Sequence, residues 1–147
     1  GFVDETSYPY LKELILEHTS GRLKVAPEHT EDDVLKLMAK PSFRLFERLR
    51  MEFDNIVRSS GKKCELVPYF ISAHPGCGMR EMRRLASHPA LRGLYMDQVQ
   101  DFTPTPMTTS SVMFYTGLDP KNLEKVFVER DIERKKEQKS FFFKRGK

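Results

Sequence analysis

Two segments of this chain, residues 66–78 and 97–108, limit the folds open to it more than any other feature. The first begins with an almost continuous apolar run and then stops at Ser72, His74 and a Pro-Gly pair. A strand that is buried on both faces has this pattern, which is typical of parallel sheets. Ligands of parallel α/β proteins collect at the carboxyl ends of the strands, so the polar residues there are the first candidates for chemistry. The alternative is that proline and glycine only mark loops.

Length and composition are those of one folded domain. The chain has 147 residues, of which 39% are hydrophobic, and its 11 phenylalanines can build a core. No apolar run approaches the ~18 residues that a membrane-spanning helix needs, and the polar, acidic start is unlike a signal peptide. Because the chain opens on Gly1 rather than a methionine, we expect it to be part of a longer protein.

The two cysteines, Cys64 and Cys77, predict a reducing compartment, which we take to be the cytoplasm. They do not have the number or spacing of a disulfide framework. His74 and Cys77 have an i, i+3 spacing that metal ligands can use, but a soft-metal site needs three or four ligands. We therefore predict no metal site within this chain.

Helical and strand patterns alternate along the chain. Apolar positions spaced by three or four residues predict helices, and short apolar runs ended by Pro or Gly predict strands. The predicted helices cover residues 8–18, 43–59, 77–87 and 108–115, with a short one before Pro41, and the predicted strands cover 22–26, 65–71 and 94–100. This order indicates an α/β fold: a partial (β/α) barrel fragment with about three parallel strands and flanking helices.

The carboxyl-terminal residues differ in composition from the rest. Residues 130–147 contain eight basic and three acidic side chains, within a chain whose net charge is +4. We divide the chain into a barrel portion, 1–118, and an extension, 119–147, which we expect to be flexible and to end in a basic tail. Charge confined to a tail argues against a nucleic-acid-binding face on the domain. The alternative function is a non-catalytic module whose tail binds a protein or RNA partner.

Three loops carry candidate functional residues. Glu28 and His29 follow the first strand, where a carboxylate and an imidazole can bind a ligand or move protons; alternatively, they are a loop residue and a helix cap. His74 and Gly76 follow the second strand, where glycine lets a ligand approach the backbone, unless the loop is only a structural turn. Residues 101–106 alternate threonine with proline, which fits a ligand wall and a rigid connector equally well.

Four segments that contain these motifs resemble one known family. They are residues 23–30 (LKVAPEHT), 38–43 (MAKPSF), 67–76 (VPYFISAHPG) and 97–107 (DQVQDFTPTPM). In this order they resemble the YgiQ family of functionally uncharacterised radical S-adenosylmethionine (SAM) proteins, over roughly residues 1–130. The resemblance implies the carboxyl-terminal part of a radical SAM partial barrel, followed by the start of a family-specific extension.

The resemblance also implies cofactors. Radical SAM enzymes bind a [4Fe–4S] cluster through a CxxxCxxC loop and use it to cleave SAM to a 5′-deoxyadenosyl radical. This chain has no such motif, so the implied cluster loop lies in an upstream half of the same barrel. We expect a [4Fe–4S] cluster and SAM in the parent protein, and neither bound to this chain alone. The implied partners are that upstream half, SAM and a substrate of unknown identity.

Roles for the loop residues follow from the same resemblance. The residues that it implies for SAM binding are Glu28, His29, Ile71, His74 and Gly76. The residues that it implies at the rim where substrate enters are Asp101, Thr103 and Thr105. It assigns no catalytic step to a residue of this chain, and fold-level analogy alone does not establish chemistry.

Overall fold

A computed structural model describes residues 8–96 and 98–143, without the side chain of Phe143. Its helices are Tyr8–Glu17 (α1), Asp32–Leu37 (α2), Arg44–Ser60 (α3), Met79–Ser87 (α4), Thr109–Thr116 (α5) and Ile132–Phe143 (α6). Its strands are Arg22–Glu28 (β1), Glu65–Ser72 (β2) and Val99–Asp101 (β3). A 3₁₀ turn, Pro89–Leu91, lies between α4 and β3.

The three strands form one parallel sheet in the order β1-β2-β3. Helices α2 and α3 connect β1 to β2, and α4 connects β2 to β3, as parallel pairing requires. The register places Leu23 beside Leu66 and Phe70 beside Val99. Within the described residues the sheet stays open, with β1 and β3 at its edges. The predicted α/β class with three parallel strands is therefore confirmed.

One face of the sheet packs against α3 and α4. Phe70 of β2 shares this core with Phe53 and Ile56 of α3 and with Met82 and Leu85 of α4. None of these side chains is more than 3% exposed. Burying each one contributes roughly 1.5–3 kcal/mol, so this packing fixes β2 and the start of the loop that follows it.

The local sequence explains why α3 is the longest helix described. Phe46, Phe53 and Ile56 recur at helical spacing and are all buried. Before the helix, the carboxylate of Asp32 accepts a hydrogen bond from the backbone N–H of Phe43 (3.3 Å). The helix ends at Gly61, which adopts the left-handed φ of 68° that glycine takes without strain.

The other face of the sheet is less covered. Tyr69 and Ile71 of β2 are half-buried, and Lys24 and Ala26 of β1 are exposed. Gln100 of β3 is also exposed, and its side-chain amide donates to the Tyr69 hydroxyl (2.9 Å). We call this surface the open face, defined by Lys24, Ala26, Tyr69, Ile71 and Gln100.

Strand β1 is longer than its sequence predicts. It continues through Pro27 to Glu28, with an irregular register between Val25 and Glu28. Proline lacks the N–H that a central strand needs, but an edge strand with a bulge tolerates it. Glu28 therefore lies at the end of the strand, with a positive φ of 67°, rather than in the loop beyond it.

Strand β3 is shorter than the predicted 94–100. It covers Val99–Asp101, because the chain before it is still in a turn, where the N–H of Leu94 bonds to the carbonyl of Leu91 (3.3 Å). Asp97 lies outside the described residues. Residues 126–128, whose sequence Val-Phe-Val is typical of a strand, belong to no strand. An isolated antiparallel bridge joins Leu118 to Lys125 instead.

The expected flexible tail is instead a helix over Ile132–Phe143, which packs on α4, β3 and β2. Gln138 on this helix is fully buried, and the Phe142 ring lies 6.2 Å from the Phe70 ring. The guanidinium of Arg83 lies over the Phe141 ring. Residues 138, 141 and 142 are spaced so that their side chains lie on one face of the helix. This pattern is present in the sequence, but the basic residues of the segment outnumber it. Residues 144–147 lie outside the described residues.

None of the helices in the described residues is long and apolar enough to cross a bilayer. The division of the chain at residue 118 stays a prediction.

Candidate functional site at the carboxyl ends of the strands

His29 and Cys77 meet at the carboxyl ends of β1 and β2. Parallel pairing brings the two strand ends together, and the Cys77 Sγ lies 3.4 Å from the His29 Nε2. Both residues are 0% exposed. The sequence identified His29 as a candidate from its position, whereas Cys77 drew attention only as a possible metal ligand beside His74.

The hydrogen bonds of His29 define its tautomer. Its Nδ1 accepts from the backbone N–H of Glu31 (3.0 Å), so in the neutral ring the proton resides on Nε2 and points to the Cys77 sulfur. Burial lowers the pKa of His29 to about 4, although the nearby Glu81 carboxylate opposes this shift. His29 is therefore a neutral donor to sulfur at pH 7.

Cys77 is a buried, protonated thiol. Burial raises its pKa to about 12, even though a backbone hydrogen bond from Ala73 acts to lower it. Its Sγ lies 3.8 Å from the Gln138 Oε1 and 3.9 Å from the Gly78 carbonyl oxygen. Because the thiolate is the nucleophile and the metal ligand, Cys77 is unreactive in this arrangement.

His74 lies beyond the end of β2 and contacts a different helix. Its Nδ1–H donates to the Pro75 carbonyl (2.8 Å), which leaves Nε2 to accept from the Ser110 hydroxyl of α5 (2.8 Å). The Phe102 ring packs edge-on against the imidazole at 4.9 Å. Burial lowers the pKa of His74 to about 4. Ser110 was missed from the sequence, where the only signal was a polar run opening a predicted helix.

The predicted rim residues do not share one environment. The Asp101 carboxylate accepts from the Ser72 hydroxyl (2.6 Å) and lies 3.8 Å from the Lys139 Nζ. Thr103 and Thr105 are exposed. The carbonyl of Thr105 accepts from the Ser111 hydroxyl (2.6 Å), which ties this loop to α5.

The position of Gly76 can hold only a glycine without strain. It has a φ of 87°, and a Cβ added there would lie 2.4 Å from the Leu37 Cδ1. Its N–H donates to the Phe127 carbonyl (2.7 Å). The Ala73 N–H likewise donates to the Gln138 Oε1 (3.0 Å). Two backbone donors of a loop that sequence predicts for ligand binding therefore bond to the carboxyl-terminal segment.

Glu28 and Ile71 remain closer to solvent than the two histidines. The Glu28 carboxylate lies 3.2 Å from the Lys40 Nζ, and its side chain is 13% exposed. Ile71 lies on the open face. The structure thus divides the predicted SAM-binding residues into a buried group, His29 and His74, and a more accessible group.

The described residues do not fit an iron–sulfur cluster or another metal site. They contain no group of three or more His, Cys, Asp or Glu side chains arranged to hold a metal ion. Cys64 precedes β2 and Cys77 follows it, so the two thiols lie at opposite ends of the strand.

Comparisons with known proteins identify one family model and several relatives that are similar to this chain. A family model described as a domain of unknown function (DUF3362) matches residues 97–145. A UPF0313 protein of Bacteroides thetaiotaomicron is 49% identical over 134 residues, which cover 91% of this chain and 22% of that protein. A second, from Porphyromonas gingivalis, is 47% identical and has 21% of its length covered. A third, from Methanosarcina acetivorans, is 43% identical over 93% of this chain and 18% of its own length.

No solved structure matches the chain. The chain spans about a fifth of the length of the relatives it matches. UPF0313 is the family of the YgiQ-like proteins, so these relatives are the ones that the resemblance predicts, and their names state no cofactor or reaction. Over nine-tenths of its own length, the chain is therefore similar to one segment of the UPF0313 proteins.

Proposed function

We propose that this chain is the carboxyl-terminal part of the barrel of a radical SAM enzyme and supplies part of its SAM- and substrate-binding wall. The open face carries the proposal. In a (β/α) barrel, helices cover the outside of a parallel sheet and the other face turns inward. Here helices α3 and α4 cover one face, while Tyr69, Ile71 and Gln100 of the other are at least partly accessible.

The accessible residues have chemistry that suits SAM. Ile71 offers apolar surface to a purine ring, and the Glu28 carboxylate, which lies 3.2 Å from the Lys40 Nζ, has oxygens that can also accept from an ammonium group of the ligand. Asp101, Thr103 and Thr105 follow β3 at the same end of the sheet, where substrate would enter. His29 and His74 are buried and bonded within the chain, so they support this wall from behind.

The cluster ligands would come from elsewhere in the parent protein. Cys77 is a protonated, buried thiol, and Cys64 lies at the far end of β2. The partner of this chain is then the upstream half of the same barrel, which would extend the sheet beyond the free edge of β1. The two unpaired thiols support a reducing, cytoplasmic compartment.

The alternative of a tail that binds a protein or RNA is not favoured. Phe141 and Phe142 would be its aromatic contacts, but both pack against this domain, beside Arg83 and Phe70.

The test uses a full-length UPF0313 protein, reconstituted anaerobically with iron and sulfide and given SAM and dithionite. The measurement is the formation of 5′-deoxyadenosine. We expect formation by the wild type and a loss of at least about tenfold in the variant Ile71→Lys, because an ammonium on the inward face opposes binding of the sulfonium. Met51→Lys is the matched control, since Met51 is 60% exposed on α3. Absence of 5′-deoxyadenosine from a cluster-loaded wild type, or an equal effect of both variants, would overturn the proposal.

A further inference from the structure

The carboxyl-terminal segment covers the loop that follows β2. We call residues 126–143 the cap and residues 73–78 the loop. The cap accepts two backbone hydrogen bonds from the loop, from Gly76 to the Phe127 carbonyl (2.7 Å) and from Ala73 to the Gln138 Oε1 (3.0 Å). The Phe127 ring also lies against Gly78, where an added Cβ would be 3.2 Å from the ring. The cap therefore covers part of the loop, in which Ala73, Cys77 and Gly78 are buried and Gly76 is half-buried.

Cys77 and His29 lie beneath this cover, and the proposed SAM wall makes no use of Cys77. Both are 0% exposed, with the sulfur 3.4 Å from the imidazole Nε2. The N–H of Glu31 holds the ring so that its Nε2–H faces the sulfur. A hydrogen-bond donor directed at sulfur stabilises a thiolate once water reaches the site.

The cap itself is imperfectly satisfied. Gln138 is 0% exposed and touches both Ala73 and Cys77, but its Nε2 has no hydrogen-bond partner among the described residues. The Glu129 Oε2, also buried within the cap, likewise lacks a partner there. A buried polar atom without a hydrogen-bond partner destabilises the closed cap. Water can supply the missing hydrogen bond once the cap opens, so these atoms favour opening. Segments of this kind open locally at a lower free energy than the whole domain.

We propose that the cap opens without unfolding of the α/β core, and that opening exposes Cys77 as a thiol that reacts, with the support of His29, with small disulfides. In the reaction, the thiol proton leaves to water because Nε2 of the neutral ring already carries one. The thiolate then attacks one sulfur of the disulfide, the original S–S bond breaks, and the other sulfur leaves as a thiolate. This inference does not depend on the radical SAM assignment.

The test measures the rate at which dithiobis(nitrobenzoate) modifies Cys77 in the whole chain under native conditions. Every variant also carries Cys64→Ser, so that the measured modification is that of Cys77 alone. Phe127→Ala weakens the cap, and Ile56→Val weakens the core, where Ile56 is 1% exposed. Urea unfolding of each variant gives its global stability. We expect Phe127→Ala to raise the modification rate by at least about tenfold, because the rate is proportional to the population of molecules in which the cap is open. Ile56→Val should leave the rate within about twofold, because it weakens the core and not the cap.

Two results would overturn the proposal. One is a rate that follows global stability in both variants, because Cys77 would then react only from the unfolded chain. The other is an unchanged rate in Phe127→Ala, because the cap would then not control access.

A separate experiment tests the role of His29. In the Phe127→Ala background, His29→Phe removes the donor to sulfur, and His29→Gln offers an amide donor. We expect His29→Phe to slow modification by about tenfold at pH 7 and not at pH 10, and His29→Gln to recover part of the loss. An equal loss at both pH values would show that His29 serves only to shape the loop.

Discussion

The helix-covered side of the sheet and the contact of Gln138 with the loop are both buried, but they are stabilised in different ways. Around Phe70, burial joins apolar side chains from β2, α3 and α4. Around Gln138, burial depends on specific hydrogen bonds to the loop, and one side-chain nitrogen has no partner among the described residues. Apolar packing tolerates small shifts, whereas a polar contact is lost when one partner moves. The difference predicts a stable core beneath a cap that responds to its surroundings.

The largest effect should come from Phe70→Ala, because Phe70 contacts both regions. The side chain is 0% exposed, lies in the core and stacks on Phe142 of the cap. We expect a loss of about 3–5 kcal/mol in the free energy of unfolding, measured with urea. Tyr69→Ala, on the open face, is the control and should cost clearly less. A loss below ~1 kcal/mol for Phe70→Ala would show that the two regions are not joined at this residue.

Acid should weaken the loop regions more than the core. The pKa of both His29 and His74 is lowered by burial from 6.5 to about 4. Between these values the unfolded chain binds protons that the folded chain does not, so stability falls as pH drops from about 6.5 to about 4. Each histidine contributes on the order of 3 kcal/mol to this fall, from about 1.36 kcal/mol per pKa unit.

Urea unfolding at pH 7 and pH 4.5 measures this effect. His74→Asn should flatten the pH dependence, since asparagine has no proton to gain. A wild-type protein whose stability is the same at both pH values would contradict the assignment of two buried neutral histidines.

Gln138→Leu should separate the cap from the core. The substitution leaves the Ala73 N–H without its acceptor, which costs about 1–3 kcal/mol for a buried donor. Hydrogen exchange should show faster exchange at the Ala73 amide and little change at Phe70, whose N–H bonds to the Gln98 carbonyl. Glu137→Leu, at the exposed neighbouring position, is the control. Equal acceleration at both amides would mean that cap and core open together.

The smallest effect should come from Lys139→Ala. The Lys139–Asp101 pair joins the cap to the end of β3, but its side chains are 38% and 42% exposed and its atoms 3.8 Å apart. Pairs of this kind contribute about 0.2–1 kcal/mol, and salt screens them. A cost above about 2 kcal/mol in urea unfolding would show that this exposed ion pair, rather than Gln138, holds the cap.

The sequence predicted those features that depend on residues close to one another along the chain. The apolar stripe of α3 and the apolar run of β2 have local signals, so both elements lie where expected, within one or two residues. His29 and His74 were candidate residues because each follows a strand, and their part in a functional site stays a prediction. The confirmed α/β class rests on the same alternation of elements.

Contacts between distant residues had no such signal. Ser110 bonds to His74 across 36 positions, and Gln138 bonds to Ala73 across 65. The extension, residues 119–147, was expected to be flexible because basic residues dominate its end, and that composition does not reveal that Gln138, Phe141 and Phe142 face the domain. Composition describes the exposed side of a helix, while docking depends on the few residues on its other side.

The free edge of β1 also determines how another strand can join this sheet. Pro27 offers no N–H, and the irregular register between Val25 and Glu28 breaks the regular pairing pattern. A strand added at this edge therefore finds continuous partners only along residues 22–25. The same interruption limits pairing between copies of this chain, so this edge of the sheet is a poor template for aggregation.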